Sequence, residues 1–297
     1  MNIEVPAGRY IVAVSGGVDS IVLLYLLAQQ RRDQKYSFVV AHFDHGIRPD
    51  SAEDRKLVQR AAQSYGLPFV YDQANLGPKA SEAVARDARY KFLHTVRISA
   101  AADAIITAHH QDDLLETVII NLLRGTKSRG LSSLRSTKTL IRPLLGITKQ
   151  EIRAYARQHK LEWREDSTND DETYLRNYIR KQIMPRLDTG ARSKLLEHSQ
   201  KAAVLNDAIH SLTASYLDTQ PEALVLNRQS FRELPEVVAH EVLADWLRLH
   251  TPVSLTSKLI ERLAIAITEG RTGAKFDVAR GYSIELTRNH AKLVSPQ

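Results

Sequence analysis

Apolar runs and amphipathic stretches alternate along the first 125 residues. Residues 9–16, RYIVAVSG, form a Val- and Ile-rich run that reads as a buried strand, and 19–32, DSIVLLYLLAQQRR, read as a helix with a nearly continuous apolar face. The alternation repeats three times. Residues 36–45, 67–73 and 103–110 read as strands; 51–66, 81–102 and 112–125 read as helices. Ser51 and Ser81 suit N-caps, and Gly66 suits a helix stop. Strands alternating with helices imply βαβ units, hence an α/β fold built on a doubly wound, Rossmann-like parallel sheet.

The rhythm changes past residue 130. TKSRGLSSLRSTK, 126–138, is polar, basic and rich in turn formers, and reads as a mobile loop. TLIRPLLG, 139–146, suits a last strand and turn, and 148–160 a further helix. Residues 191–217 read as a helical connection to a small α/β module at about 220–297. The expected organisation is a catalytic domain over 1–190, followed over 191–297 by a helical linker and a small C-terminal domain.

No apolar run approaches the ~20 residues needed to span a bilayer, and the N-terminus lacks the basic and apolar regions of a secretory signal. A cytoplasmic location and no membrane partner are therefore expected. The chain contains no cysteine, which excludes disulfides, thiolate metal sites, cysteine nucleophiles and cysteine-held iron–sulfur clusters. The net charge of +7 is unevenly spread. Residues 124–186 carry 15 Lys/Arg against 7 Asp/Glu, while 187–297 carry 13 of each. Within 124–142 there are six basic residues and no acidic one. A basic block of this kind suits a polyanion, or forms a solvated loop.

Candidate chemistry gathers at the expected strand ends, where ligands of doubly wound sheets bind. SGGVDS, 15–20, sits between the first strand and the first helix. Two glycines let backbone approach a ligand, and the helix start offers unpaired N–H groups to an anion. Ser15 and Ser20 add hydroxyls. Asp19 beside a phosphate makes sense with Mg²⁺ between them. There is no Walker lysine. A second cluster lies in TAHHQDDLLET, 107–117: His109 and His110 precede a helix whose Asp113 and Glu116 share one face. That carboxylate pair can hold an ammonium group, or Asp113 can assist Mg²⁺. Asp112 reads as a helix cap. His42 and Asp44 sit at the mouth of the second strand; Asp44 and His45 also suit a turn before Gly46. Tyr174 and Tyr178 alternate with Arg176 and Arg180, which suits base stacking beside phosphate contacts as well as plain helix packing.

The 15–20 loop resembles the pyrophosphate loop of enzymes that split ATP between its α and β phosphates. The segment 107–134, with AHFDHGIR at 41–48, ARDARYKFL at 85–93, IRPLLGITKQEIRAYA at 141–156 and REDSTNDDETYLRNYIRKQIMP at 164–185, closely resembles the signatures of the tRNA(Ile)-lysidine synthetases, in their shorter form. The resemblance covers the first 186 residues in order; the remainder is similar only loosely. It implies a pyrophosphate-loop fold and an enzyme that uses ATP with Mg²⁺. Such an enzyme adenylates O2 of the wobble cytidine in a CAU-anticodon tRNA(Ile), and L-lysine then displaces AMP at C2. By position, Ser15, Gly16, Gly17, Val18, Asp19 and Ser20, with His42, Asp44 and Arg89, would bind ATP, and Asp19 would meet the metal. Asp19, Arg89, His109, Asp113 and Glu116 would be catalytic, with Asp113 and Glu116 binding lysine. Arg124, Lys127, Arg129, Arg135, Lys138, Arg176 and Arg180 would contact tRNA. A homodimer is compatible with this reading.

Overall fold

The computed structural model describes residues 1–30, 35–46, 51–74, 76–77, 82–126, 128–165 and 175–296. The chain divides into two compact units, Met1–Gln200 and Lys201–Gln297.

The first unit opens with β1 (Gly8–Ala13), α1 (Val18–Gln30), β2 (Tyr36–Asp44), α2 (Ser51–Ser64), β3 (Phe69–Gln73), α3 (Glu82–Ser99), β4 (Ala104–Ile106) and α4 (Gln111–Leu123). It continues through α5 (Ser128–Leu131), β5 (Leu140–Ile141), α6 (Lys149–Gln158) and α7 (Leu175–Tyr178). A π-helical turn (Ile179–Ile183) and a 3-10 turn (Met184–Arg186) lead into the 30-residue α8 (Thr189–Asp218). The five strands are parallel in the order β3-β2-β1-β4-β5, the order of a Rossmann-like sheet.

Both faces of the sheet are covered, which explains the continuous apolar strands. Tyr10, Val12, Val40 and Ile106 join one core with residues of α1, α2 and α6. Ile11, Ala41 and Ile105 join another with Leu93 of α3. Between β4 and β1 the winding reverses, so their carboxyl ends open a crevice for a ligand.

Several local expectations shift. The first strand stops at Ala13, three residues before the end of its apolar run, because Gly16 turns the chain with φ +97°. Ser51 is the first residue of α2, and its hydroxyl donates to Asp44 Oδ2 at 2.9 Å. Ser81 lies outside the described residues. The 126–138 stretch, expected as a mobile loop, includes α5 and is fastened to α4. Asn121 Nδ2 donates to the Gly130 carbonyl at 2.7 Å and to Ser133 Oγ at 3.0 Å.

The second unit contains β6 (Val225–Asn227), α9 (Arg228–Arg232), α10 (Glu236–His250), α11 (Ser257–Glu269), β7 (Lys275–Ala279), β8 (Tyr282–Leu286) and β9 (His290–Val294). Its four-stranded antiparallel sheet runs β6-β9-β8-β7 over a core that includes Trp246, Phe231 and Leu263. Among the described residues, no helix is long and apolar enough to cross a membrane.

Candidate active site

The loop between β1 and α1 is held open by its own serines. Ser20 Oγ accepts the backbone N–H of Ser15 at 3.1 Å and of Gly16 at 3.2 Å, and donates to the Gly17 carbonyl at 2.9 Å. Gly16 is required twice. Its φ is +97°, and a Cβ there would lie 3.4 Å from the Asp54 Cβ. From behind, the Arg164 N–H donates to the Gly16 carbonyl at 3.0 Å, and Arg164 Nε pairs with Asp54 Oδ1 at 2.7 Å. The result is a preshaped concavity at the N-terminus of α1, where the first amides lack helical partners.

Asp19 stands in the first turn of α1. Lys149 Nζ lies 2.7 Å from both of its carboxylate oxygens. The Lys149 backbone N–H donates to Asp112 Oδ2 at 2.7 Å, and Asp112 Oδ1 accepts from Arg192 Nη1 at 2.9 Å. Asp112 therefore ties the starts of α6 and α8 to α4 instead of capping its own helix. The cap is made by His110 and Asp113: Asp113 Oδ2 accepts the His110 N–H at 3.0 Å, and His110 Nδ1 accepts the Asp113 N–H at 3.4 Å. Only the third helical residue reaches back to the N-cap, and that residue is Asp113.

Asp113 and Glu116 do share a face, but Glu116 is 1% exposed and closed by an arginine. Arg180 Nε and Nη2 meet Glu116 Oε1 and Oε2 at 2.7 and 2.9 Å, and Arg180 Nη2 lies 3.6 Å from Asp113 Oδ1. Arg176 Nε is 3.8 Å from Glu116 Oε2, and its Nη2 donates to Thr117 Oγ1 at 3.1 Å. Arg176 and Arg180, assigned to RNA from the sequence, thus turn toward the carboxylates. Their i,i+4 spacing puts both on one side of the helical segment. Burial pushes the Glu116 carboxyl above its ordinary range, against the pull of Arg180.

His109 lies three residues past the end of β4, its Nδ1 2.8 Å from the hydroxyl of buried Thr107. Burial, with Arg142, Arg89, Arg86 and Arg176 nearby, lowers its pKa to about 3, so the imidazole is neutral at physiological pH. Arg89 sits over the Tyr90 ring, 5.4 Å from its centroid. His42 is buried, with Nδ1 donating to the Val14 carbonyl at 2.9 Å and Nε2 without a hydrogen-bond partner. Asp44 forms the turn: its Oδ1 accepts the Gly46 N–H at 2.8 Å.

The basic block is split. Arg124 caps α4 and is exposed, as is Lys138; Arg129 and Arg135 are half-buried. Arg142, expected on the same basic surface, is buried and donates to the Arg135 carbonyl. Tyr178 is exposed, whereas Lys127 and Tyr174 lie outside the described residues. Lys149, Arg192 and Arg86 were missed as site residues by sequence reasoning. Only the position of Lys149 at a helix start just past the last strand offered a signal.

Among the described residues, no three His, Asp or Glu side chains gather as a metal site. Asp19 alone still suits Mg²⁺, a hard cation that often takes one or two carboxylates plus substrate phosphates and water.

A parallel doubly wound sheet with a serine–glycine loop opening its first helix defines a PP-loop protein, and the PP-loop domain model matches residues 2–187. The U34-tRNA thiolase NcsA of Methanococcus maripaludis shares this fold, with TM-score 0.57 at 18% identity over 68% of this chain and 73% of that one. The tRNA(Ile)-lysidine synthase of Thermosynechococcus vestitus is 30% identical over 301 residues, 97% of this chain and 87% of that protein. The Gloeobacter violaceus protein of the same name is 36% identical over 82% of this chain and 77% of its own length. The Thermus thermophilus one is 41% identical over 62% of this chain, a match spanning 36% of that longer protein. The chain belongs to the tRNA(Ile)-lysidine synthase family.

Proposed function

We propose that this protein ligates L-lysine to C2 of the wobble cytidine in a CAU-anticodon tRNA(Ile), at the expense of ATP, in the cytoplasm. The observation that carries this reading is the match to the Thermosynechococcus vestitus tRNA(Ile)-lysidine synthase, which runs through both units. The lack of cysteine supports it over sulfur insertion by thiolate or cysteine-bound cluster chemistry.

The geometry supports a division of labour among these residues. Ser15, Gly16, Gly17, Val18 and Ser20 cradle the β and γ phosphates at the start of α1, with buried His42 and the Asp44 turn bordering the adenosine. Asp19 would hold Mg²⁺ against those phosphates once Lys149 releases it, and the ion would supply positive charge at the leaving pyrophosphate. Lys149, set free, would lie against the same phosphates. Arg89 offsets charge on the α-phosphate as cytidine O2 attacks and pyrophosphate leaves. His109, neutral and oriented by Thr107, orients a phosphate by hydrogen bonding; in this state it is too weak a base to deprotonate lysine.

Lysine has three charged groups. Asp113 and the Glu116–Arg180 fork present carboxylate beside guanidinium, which suits the ammonium and carboxylate of an amino-acid head or the side-chain ammonium alone. Attack by the neutral ε-amine at C2 forms the C–N bond as the C2–O bond to AMP breaks, and the amine proton passes to solvent or a nearby carboxylate. Exposed Arg124 and Lys138, with Arg129, Arg135 and Lys127, would follow the RNA backbone. Residues 191–297 would reach tRNA away from the anticodon, as a helical linker and small domain. A homodimer is compatible with these roles.

Incubation with ATP, labelled lysine and a panel of transcripts tests the reading. Label retained on CAU-anticodon tRNA(Ile), but not on elongator tRNA(Met), is expected. Retention on neither, with the label instead on a small molecule, would replace it with a small-molecule ligase.

A further inference from the structure

Arginines gather around one tyrosine on the α3 side of the sheet, away from the core of α1. Arg86 Cζ lies 4.8 Å and Arg89 Cζ 5.4 Å from the centroid of the Tyr90 ring. Arg142, the residue following β5, comes to the same tyrosine from the neighbouring strand end. It is 6% exposed, and its Nε is buried without a hydrogen-bond partner. The Tyr90 oxygen is buried beside this guanidinium, close enough to interact with it.

Among the described residues, no carboxylate pairs with Arg86 or Arg142. This is an unusual state for a buried cation. A charge removed from water is costly unless paired, and a guanidinium cannot escape by losing its proton. The usual structural remedy, an Asp or Glu, is present for Arg180 and Arg164 in the same unit but not here. The neutral His109 stands within the field of both Arg86 and Arg142. Unsatisfied donors, a phenol and excess positive charge together suit an oxyanion. A forked guanidinium favours phosphate in particular.

We propose that Arg86 and Arg142, with the Tyr90 hydroxyl, form a phosphate-binding site separate from the serine–glycine loop. The phosphate comes either from the nucleotide, as its α-phosphate, or from the RNA, as a backbone phosphodiester beside the target base. The choice between these sources rests on the proposed reaction; the phosphate site does not.

The test uses the full chain and the variants Arg86→Gln, Arg142→Gln and Tyr90→Phe, each checked by thermal melting. Three ligands are titrated: adenosine 5′-(α,β-methylene)triphosphate with Mg²⁺, a CAU anticodon stem–loop, and an unrelated stem–loop of equal length. Each arginine variant is expected to bind one ligand class about 10-fold more weakly, the size of one lost charge-assisted contact, with a smaller loss for Tyr90→Phe. A loss confined to the nucleotide identifies the α-phosphate as the source. A loss with both RNAs, with the slope of log K against log salt shallower by about 0.7–0.9, identifies a phosphodiester, and stands even if the lysidine reaction is wrong. A loss with the CAU stem–loop alone would indicate base reading and overturn the proposal. So would affinities within twofold of the parent for all ligands. Should Arg142→Gln melt early, the half-exposed Arg86 carries the decision.

Discussion

Lys149 Nζ sits 2.7 Å from both carboxylate oxygens of Asp19, across 130 residues of sequence. The pair joins the first turn of α1 to the first residue of α6 at the mouth of the phosphate loop. Both side chains are partly in water, so the ion pair itself contributes little stability, about 0–1 kcal/mol. Lys149→Met should therefore melt within a few degrees of the parent. It should nevertheless raise the KM for ATP about 10-fold, because the cation beside Asp19 at the loop is gone. An unchanged KM would mean that Lys149 is only a structural partner of Asp19.

The Glu116–Arg180 pair offers a sharper stability test. Removing one partner from a fully buried pair costs ~3–5 kcal/mol. Arg180 is partly exposed, so Arg180→Met should cost less, about 2–3 kcal/mol by chemical denaturation. The double variant Glu116→Gln/Arg180→Met should recover part of that loss. Additive losses would show that the two residues act independently.

His109 gives a pH prediction. Its folded pKa of about 3 lies well below the ordinary histidine value. Protonation therefore favours the unfolded chain: His109's contribution is fully present above about pH 6.5 and is lost as pH falls toward 3. By NMR, the His109 ring should not titrate between pH 8 and 5. A midpoint near 6.5 would contradict the burial and arginine field described here. Addition of a phosphate ligand should move the midpoint upward.

Gly16→Ala combines a backbone penalty with crowding. An alanine at φ +97° is strained by ~1–3 kcal/mol, and its Cβ would press on Asp54. ATP-analogue affinity should fall more than global stability does, since the strain is confined to the loop. Wild-type affinity in the folded variant would show that the loop adjusts freely.

For the RNA, the exposed charges are the useful probes. Arg124→Gln with Lys138→Gln should weaken binding of correct and incorrect tRNAs alike. It should also reduce the salt slope by about 1.4–1.8, at about 0.7–0.9 for each lost phosphate contact, and phosphate contacts carry no sequence information. A selective loss for one tRNA would place base or shape reading at these positions.

Much of this protein follows from local sequence. The Val- and Ile-rich runs, the amphipathic helices and the SGGVDS turn depend on periodicity and on glycine geometry within a few residues, and β1 through α4 start within two residues of where those patterns put them, although β1 and β4 stop three and four residues early. So does the choice of Asp113 and Glu116 as neighbours, since helical spacing alone brings them together. The antiparallel order of the C-terminal sheet was not legible, because strand pairing between β6 and β9 is a long-range choice. Nor was the loop at 126–138, whose order depends on one side chain, Asn121, reaching it from α4. The tertiary structure alone decided which charges meet. Arg180 reaches Glu116 across 64 residues, Arg192 reaches Asp112 across 80, and Lys149 reaches Asp19 across 130. A basic residue in a sequence carries charge but no direction. Only packing determines whether it meets water and RNA, as Arg124 can, or is buried, as Arg142 is, with no carboxylate partner among the described residues.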